Sequence, residues 1–412
     1  MKKGPLRIIL FVALVDLTSF GLIIPLQAVY ADRLGASGFT FGLLVSAYAA
    51  MQIVFNPLLG RWSDRVGRRP VLLMSIAGSV ASHLLLGVAD LAQSLPLLFA
   101  ARILDGITGA NIATAQAYIA DVTTGEERAR GMGLLGAAFG VGFMVGPAFG
   151  ALLALIGRAV HGSEIGTCWP AFGAAGIAAI AWLIVWRRLP EPARDRDAET
   201  SRFQLIGLRR IRAAASNRRV RELLSLAFAA NFALVLLEST FVYLCAQRFS
   251  LTERGTGLIF AYFGLLIVIV QGGLVGRLAR RFGEPTLLAI GPFFTALGFF
   301  MFASAARASD MAVAWALLIS GTLPTMIGHG LTGPNLNALV SRQADPSKQG
   351  ATLGVLQGVA SLARTASPPI GGLLFDVGAH WPYWVGAVMF MLVGAYAATI
   401  ARRQSESLRP RR

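Results

Sequence analysis

Apolar residues run through this chain in blocks too long for the helices of a soluble core, and polar residues break the blocks at intervals. A helix needs about 20 residues to cross ~30 Å of hydrocarbon at ~1.5 Å per residue. Runs of that length lie near 7–30, 39–60, 70–90, 95–119, 131–156 and 168–187, and again near 222–246, 254–276, 285–306, 311–340, 349–374 and 380–401. The pattern predicts an all-α membrane protein of twelve spans in two pseudo-symmetric six-helix bundles, 1–187 and 222–412. Residues 188–221 form the connector. The stretch that carries it, "RRLPEPARDRDAETSRFQLIGLRRIRAAASNRRVR", is polar and arginine-rich; it has room for a short amphipathic helix but cannot span.

The opening "MKKGPLRIILFVALVD" has the basic start of a signal peptide, and "VYA" at 29–31 suits a cleavage site. Its apolar run is nevertheless as long as a span and contains Asp16, which favours an uncleaved first helix. Alternate loops, counted from the N-terminus, carry 30 Lys and Arg; the opposite loops carry five, Arg33, Arg158, Arg248, Arg254 and Arg307. Both termini and the connector are therefore expected in the cytoplasm of a bacterial-type inner membrane.

Composition agrees with the pattern: 55% of the 412 residues are hydrophobic, 14% are charged, and the mean hydropathy is +0.63. The net charge of +16 sits in short clusters between spans, without the continuous basic face that a nucleic-acid partner requires. Two cysteines, Cys168 and Cys245, make neither a disulfide framework nor a metal site. There is no HExxH, no Gly-x-Ser-x-Gly and no phosphate-binding loop before any of the three lysines. The sequence thus points away from an enzyme and from an ATP-driven pump. No cofactor is expected.

One charged stretch occurs twice. "GRWSDRVGRRP" at 60–70 returns as "GRLARRFGEP" at 276–285, with Arg280 at the place of Asp64 and Glu284 at the place of Arg68. Both fall in cytoplasmic turns, between spans 2 and 3 and between spans 8 and 9. Two parallel six-helix repeats are a transporter architecture in which substrate binds between the halves.

A charge at the centre of a span costs about 2.5–3.5 kcal/mol on insertion scales, and few residues qualify here. Arg102 and Asp105, three apart on span 4, can pair with each other. Asp16 has no basic residue within a helical turn, which makes it a candidate proton or cationic-substrate site. Glu238 is either a second protonatable group or a residue near the outer end of span 7 in contact with water. Arg364 is a possible counter-charge to Glu238 or to Asp16. His83 and His329 are core histidines or proton carriers.

A cavity for a small amphipathic compound needs apolar surface with a few polar groups. At membrane depth the first half offers Tyr48, Gln52, Asn56, Asn111 and Gln116. The second half offers Asn231, Tyr243, Gln271, Asn335, Asn337 and Gln357 beside Arg364. On span 5, Gly142, Gly146 and Gly150 recur every four residues, with Gly136 and Gly140 on a neighbouring stripe, so that another helix can approach closely. Pro147 removes a backbone donor there and permits a bend.

The first charged turn resembles the GxxxDRxGRR signature of the major facilitator superfamily at Gly60, Asp64, Arg65, Gly67, Arg68 and Arg69. Arg102 and Gly106 resemble its RxxxG motif, and Gly142, Gly146, Pro147 and Gly150 resemble the signature of its exporters. The resemblance covers the chain apart from the connector and is greatest to the tetracycline efflux branch of the drug:proton antiporters. It implies a monomeric, proton-coupled exporter of a small amphipathic compound; uptake or facilitated transport of a sugar, organic acid or other metabolite is the alternative. It further implies that Arg102 takes part in proton coupling and that Asp16 holds the place of an acid on the exporters' first span. Tetracycline exporters carry further aspartates on spans 3 and 9. Here Ser82 holds the span 3 place and span 9 has no acid, which speaks against a tetracycline–metal complex as substrate.

By the same resemblance the turn at 60–70 is a cytoplasmic latch. Asp64 is expected to meet positive groups or the start of span 11, as a carboxylate is favoured at a helix N-terminus, and Arg68 to meet Asp121. The copy, with two charges inverted, is not expected to form the same latch. Asp64→Asn should therefore impair transport far more than Glu284→Gln, measured as initial flux in vesicles at equal expression; comparable losses would remove the latch.

Overall fold

Inside hydrocarbon a helix satisfies its own backbone donors and acceptors, and the long apolar runs accordingly fold as helices. The computed structural model describes residues 3–109, 111–123, 125–192, 217–251, 253–270, 275–343 and 349–407, and no β-strand occurs among them. The first half contains α1 (Lys3–Arg33), α2 (Gly38–Val66), α3 (Arg68–Leu91), α4 (Leu95–Thr108), α5 (Asn111–Val122), α6 (Gly125–Ile165) and α7 (Trp169–Arg188). The second contains α8 (Arg218–Phe249), α9 (Glu253–Ile269), α10 (Val275–Phe282), α11 (Glu284–Arg307), α12 (Met311–Gln343), α13 (Gln349–Val377) and α14 (Trp381–Ser407).

Ten segments among the described residues are long and apolar enough to cross a membrane, with α4 and α5 together making one of them, Leu95–Val122. The 17-residue α9 and the 29-residue α13 complete the twelve spans. The helix α13 is less apolar because it carries Gln357, Arg364 and several hydroxyls. Span 4 differs from its expected single run: the chain leaves helical geometry at Gly109 (φ −71°, ψ 32°) before α5 begins. The amphipathic helix considered for the connector falls at 193–216, outside the described residues.

The chain divides into two compact units. The described parts of the first are α1, α2 from residue 47, α3 to α7, and residues 245–265 of α8 and α9. In it α1 packs on α6 and α7, and α3 on α4 and α7. Ile9, Val12, Leu72, Ile76, Tyr118 and Val185 form its buried centre towards one end of the helices. At the opposite ends of the helices, the buried Asp90 of α3 accepts hydrogen bonds from Arg33 Nη1 (3.4 Å) and Thr167 Oγ1 (2.6 Å), and Tyr30 donates to the Thr167 carbonyl.

The described parts of the second unit are residues 37–46, α8 to residue 244, and the chain from Leu266. The start of α2 belongs here because Gly38 and Gly42 let its backbone lie against Gly372 and Pro368 of α13. Asp376 caps this start by accepting from the backbone N–H of Gly38 (2.7 Å) and Phe39 (3.0 Å). Phe241, Phe299, Phe302, Tyr383 and Phe390 form an aromatic core with tilted and edge-on rings.

The four-residue glycine row of α6 faces α1. A Cβ on Gly142 would lie 2.8 Å from the Leu17 backbone, and one on Gly146 would lie 2.6 Å from the Thr18 carbonyl oxygen. The other side of α6 meets α9: Gly257 lies against Pro147 and Ala151, and Gly264 against Met144. Because the atoms facing Gly146 are backbone, they cannot rotate away. Gly146→Ala is expected to lower stability by about 1–3 kcal/mol, the usual cost of overpacking, read as an earlier thermal transition of the detergent-solubilised protein. An unchanged transition would show that α1 and α6 separate at no cost.

Candidate functional site

The first unit gathers its membrane-depth charges around α1, α3, α4 and α5. Asp16, half-way along α1, accepts a hydrogen bond from Asn111 Nδ2 at 2.9 Å. Asn111 opens α5 just after the break at Gly109, and the same amide reaches Ser79 Oγ of α3 at 3.2 Å. Among the described residues Asp16 makes no ion pair. Beside it lies a small hollow walled by Ile9, Val12, Ala13, Leu72 and Ile76.

Arg102 and Asp105, both buried, form an ion pair on α4 at 2.8 Å. The Arg102 guanidinium also lies 4.3 Å over the Tyr48 ring. Tyr48 is held in turn by Phe20 (5.7 Å between centroids) and by Gln52, which donates Nε2–H to its hydroxyl at 2.8 Å. A carboxylate on one side and an aromatic face on the other therefore compensate this buried cation. His83 lies 3.2 Å from Ser19 Oγ through Nδ1. Ser19 has one hydrogen, which it gives to the Ala174 carbonyl at 3.0 Å. Nδ1 is therefore the donor in the histidine contact.

Between α2 and α3, Gly67 turns the chain with φ +123°, a conformation that suits glycine. Arg68 is the centre of the turn. It pairs with Asp64 at 2.6 Å and with Asp121 at 2.9 Å, and donates to Ser63 Oγ at 2.6 Å. Arg69 donates Nη2–H to the Trp186 carbonyl at 2.5 Å. Glu191 in the connector is a partner that reading the sequence missed. Its two carboxylate oxygens accept from the backbone N–H of Arg68 (2.6 Å) and Arg69 (2.9 Å), closing the open N-terminus of α3. The one available signal was a glutamate held between two prolines in "LPEP". Arg65 and Gly60 lie in the last turns of α2, with Arg65 exposed.

The copied turn repeats the backbone and reverses the pair. Gly283 has φ +78° before α11, and Glu284 there meets Arg342 of α12 at 2.9 Å. Arg342 is 71% exposed, whereas the Arg68 side chain is 12% exposed. The second ion pair is thus the weaker restraint, since an exposed pair contributes roughly 0–1 kcal/mol.

In the second unit Glu238, Gln357, Asn337 and Arg364 are exposed, and His329 is half-buried. Asn231 turns its amide onto the Ala227 carbonyl (2.8 Å), and buried Asn335 onto that of Leu331 (2.6 Å), which leaves Asn335 the least open of the polar set. Tyr243 is buried between Phe41 and Phe375. In the first unit Asn56 is half-buried and Gln116 exposed. Gln271 lies outside the described residues. Among the described residues, no cluster of His, Cys, Asp and Glu is arranged to hold a metal ion.

The sequence matches the family model described as Major Facilitator Superfamily over residues 9–362. It is 31% identical over 401 residues to the class C tetracycline resistance protein of Escherichia coli, covering 95% of this chain and 96% of that one. It is 27% identical to Multidrug resistance protein 1 of Bacillus subtilis (strain 168), covering 97% and 96%. Among solved structures, the nucleoside transporter NupG aligns with a TM-score of 0.74 at 12% identity, over 100% of this chain and 100% of that one. A D-xylose–proton symporter aligns with a TM-score of 0.74 at 17% identity, over 95% and 97%. The matched twelve-span architecture and the full-length relatives place this chain in the Major Facilitator Superfamily.

Proposed function

We propose that the chain is a proton-coupled exporter of a small amphipathic compound, working as a monomer in a bacterial-type inner membrane with both termini in the cytoplasm. The observation that carries the proposal is Asp16. It is a carboxylate in the middle of a membrane span, held by the Asn111 amide and not by a cation. An amide N–H can hold a carboxyl group whether or not its other oxygen carries a proton. Asp16 can thus exchange a proton without the local structure coming apart.

On this reading Arg102 has a supporting role. Its charge is already met by Asp105 and by the face of Tyr48, so Asp16 keeps its charge available to a proton or to a cationic group of the substrate. The two compete for one carboxylate, and that competition is the simplest physical form of antiport. The similarity to tetracycline and multidrug resistance proteins supports export of a drug-like compound. The turn around Arg68 acts as the cytoplasmic latch, with Asp64, Asp121 and Glu191 as its acceptors.

The test is proton movement in proteoliposomes as members of a panel of amphipathic compounds are added. The wild-type protein should release protons when a substrate is added, and Asp16→Asn should lose at least about nine-tenths of that response, the scale expected when an essential proton-transfer group is removed. Unchanged substrate-driven release in Asp16→Asn would overturn the role of Asp16. No release with any compound would overturn the function.

A further inference from the structure

Glu238 and Arg364 are not used by the mechanism above, yet each is placed with care. From residue 226 to residue 246 of α8, Glu238 is the only exposed position. Its helix has no lipid-facing row over this length, so the opening at Glu238 lies on an interior side of the unit. On α13, Gln357, Ser361 and Arg364 follow one another at intervals of four and three residues and share one face. The exposed apolar residues Leu362, Ile370, Leu373 and Val377 lie about half a turn away, where lipid would be. Arg364 therefore points away from the lipid side of its helix.

The two helices are fixed side by side within one unit. Ser367, one turn after Arg364, donates to the Phe232 carbonyl of α8 at 2.7 Å. A Cβ on Gly371 would lie 3.1 Å from Ser239 Oγ and 3.2 Å from Leu236, the neighbours of Glu238 in sequence. Among the described residues, however, neither Glu238 nor Arg364 closes an ion pair or makes a hydrogen bond.

We infer that Glu238 and Arg364 are the two ends of a binding site for a zwitterion, an amphipathic compound with both a cationic amine and an anionic group. This inference rests on the proposed transport function and specifies its substrate class. The ammonium end would meet Glu238 and the anionic end Arg364, with Gln357 a polar neighbour of the latter. A zwitterion satisfies both charges at once. A singly charged compound makes only one of the two charge-assisted contacts, and that loss is what discriminates.

Binding to the full-length protein in nanodiscs, measured calorimetrically, separates the possibilities without knowledge of the natural substrate. The probes are naphthylalanine, its methyl ester, which keeps only the amine charge, and its N-acetyl derivative, which keeps only the acid charge. The zwitterion should bind at least about tenfold more tightly than either, as the loss of one charge-assisted contact implies. Glu238→Gln should erase its advantage over the N-acetyl form, and Arg364→Gln its advantage over the ester. Equal binding of the three probes to the wild-type protein, or no binding, overturns the inference, and this comparison needs no variant to fold. If the amphipathic panel still drives proton release while the zwitterion shows no preference, the substrate class fails and the exporter reading stands.

Discussion

Charge that has left water must be met by something, and the placement of ionic groups in this protein follows from that constraint. Arg102 lies between Asp105 and the face of Tyr48. Asp90 is buried against Arg33 and Thr167, joining the ends of three helical elements. Asp16 is held by an amide alone. This gradation, from a cation paired with a carboxylate to an acid held only by a neutral group, separates residues that fix the structure from those able to change their charge state. Glu238 and Arg364 stand at the far end of the same series.

The close approach of helices is the second organising element. On α6 the glycines at every fourth position admit α1, and the opposite side, with Met144, Pro147 and Ala151, admits α9. At the start of α2, Gly38 and Gly42 do the same with α13. In lipid there is no hydrophobic drive between helices, so backbone contact at glycine is a main source of packing energy. Helices joined in this way meet over smooth surfaces, which can slide with less rearrangement than interlocked side chains.

Much of the fold was legible in the sequence, because a bilayer imposes one length and one composition on every span. The Arg102–Asp105 pair was legible for a similar reason, as a spacing of three places both groups on one helix face. What could not be read were partners distant along the chain. Asn111 stands among the polar residues at membrane depth, but nothing local connects it with Asp16, 95 positions away. The period of the α6 glycines gives a face and not the helix that meets it. The interruption at Gly109 falls in "GITGAN", where small residues are as compatible with a continuous helix as with a break. Glu191 was hidden by composition, since a polar connector reads as a tether until one of its side chains is seen to close a helix.

The two charged turns meet the same demand differently. Each begins a helix whose first N–H groups attract negative charge. In the second half that charge is Glu284 itself, in the first turn of α11. In the first half the helix opens on two arginines, and the carboxylate arrives from Glu191, beyond the sixth span. If both halves descend from one duplicated six-helix ancestor, the later history of the two copies has been unequal. The second carries the anion for this turn within its own repeat. The first depends on residues added where the copies were joined, so the join became part of the fold it links.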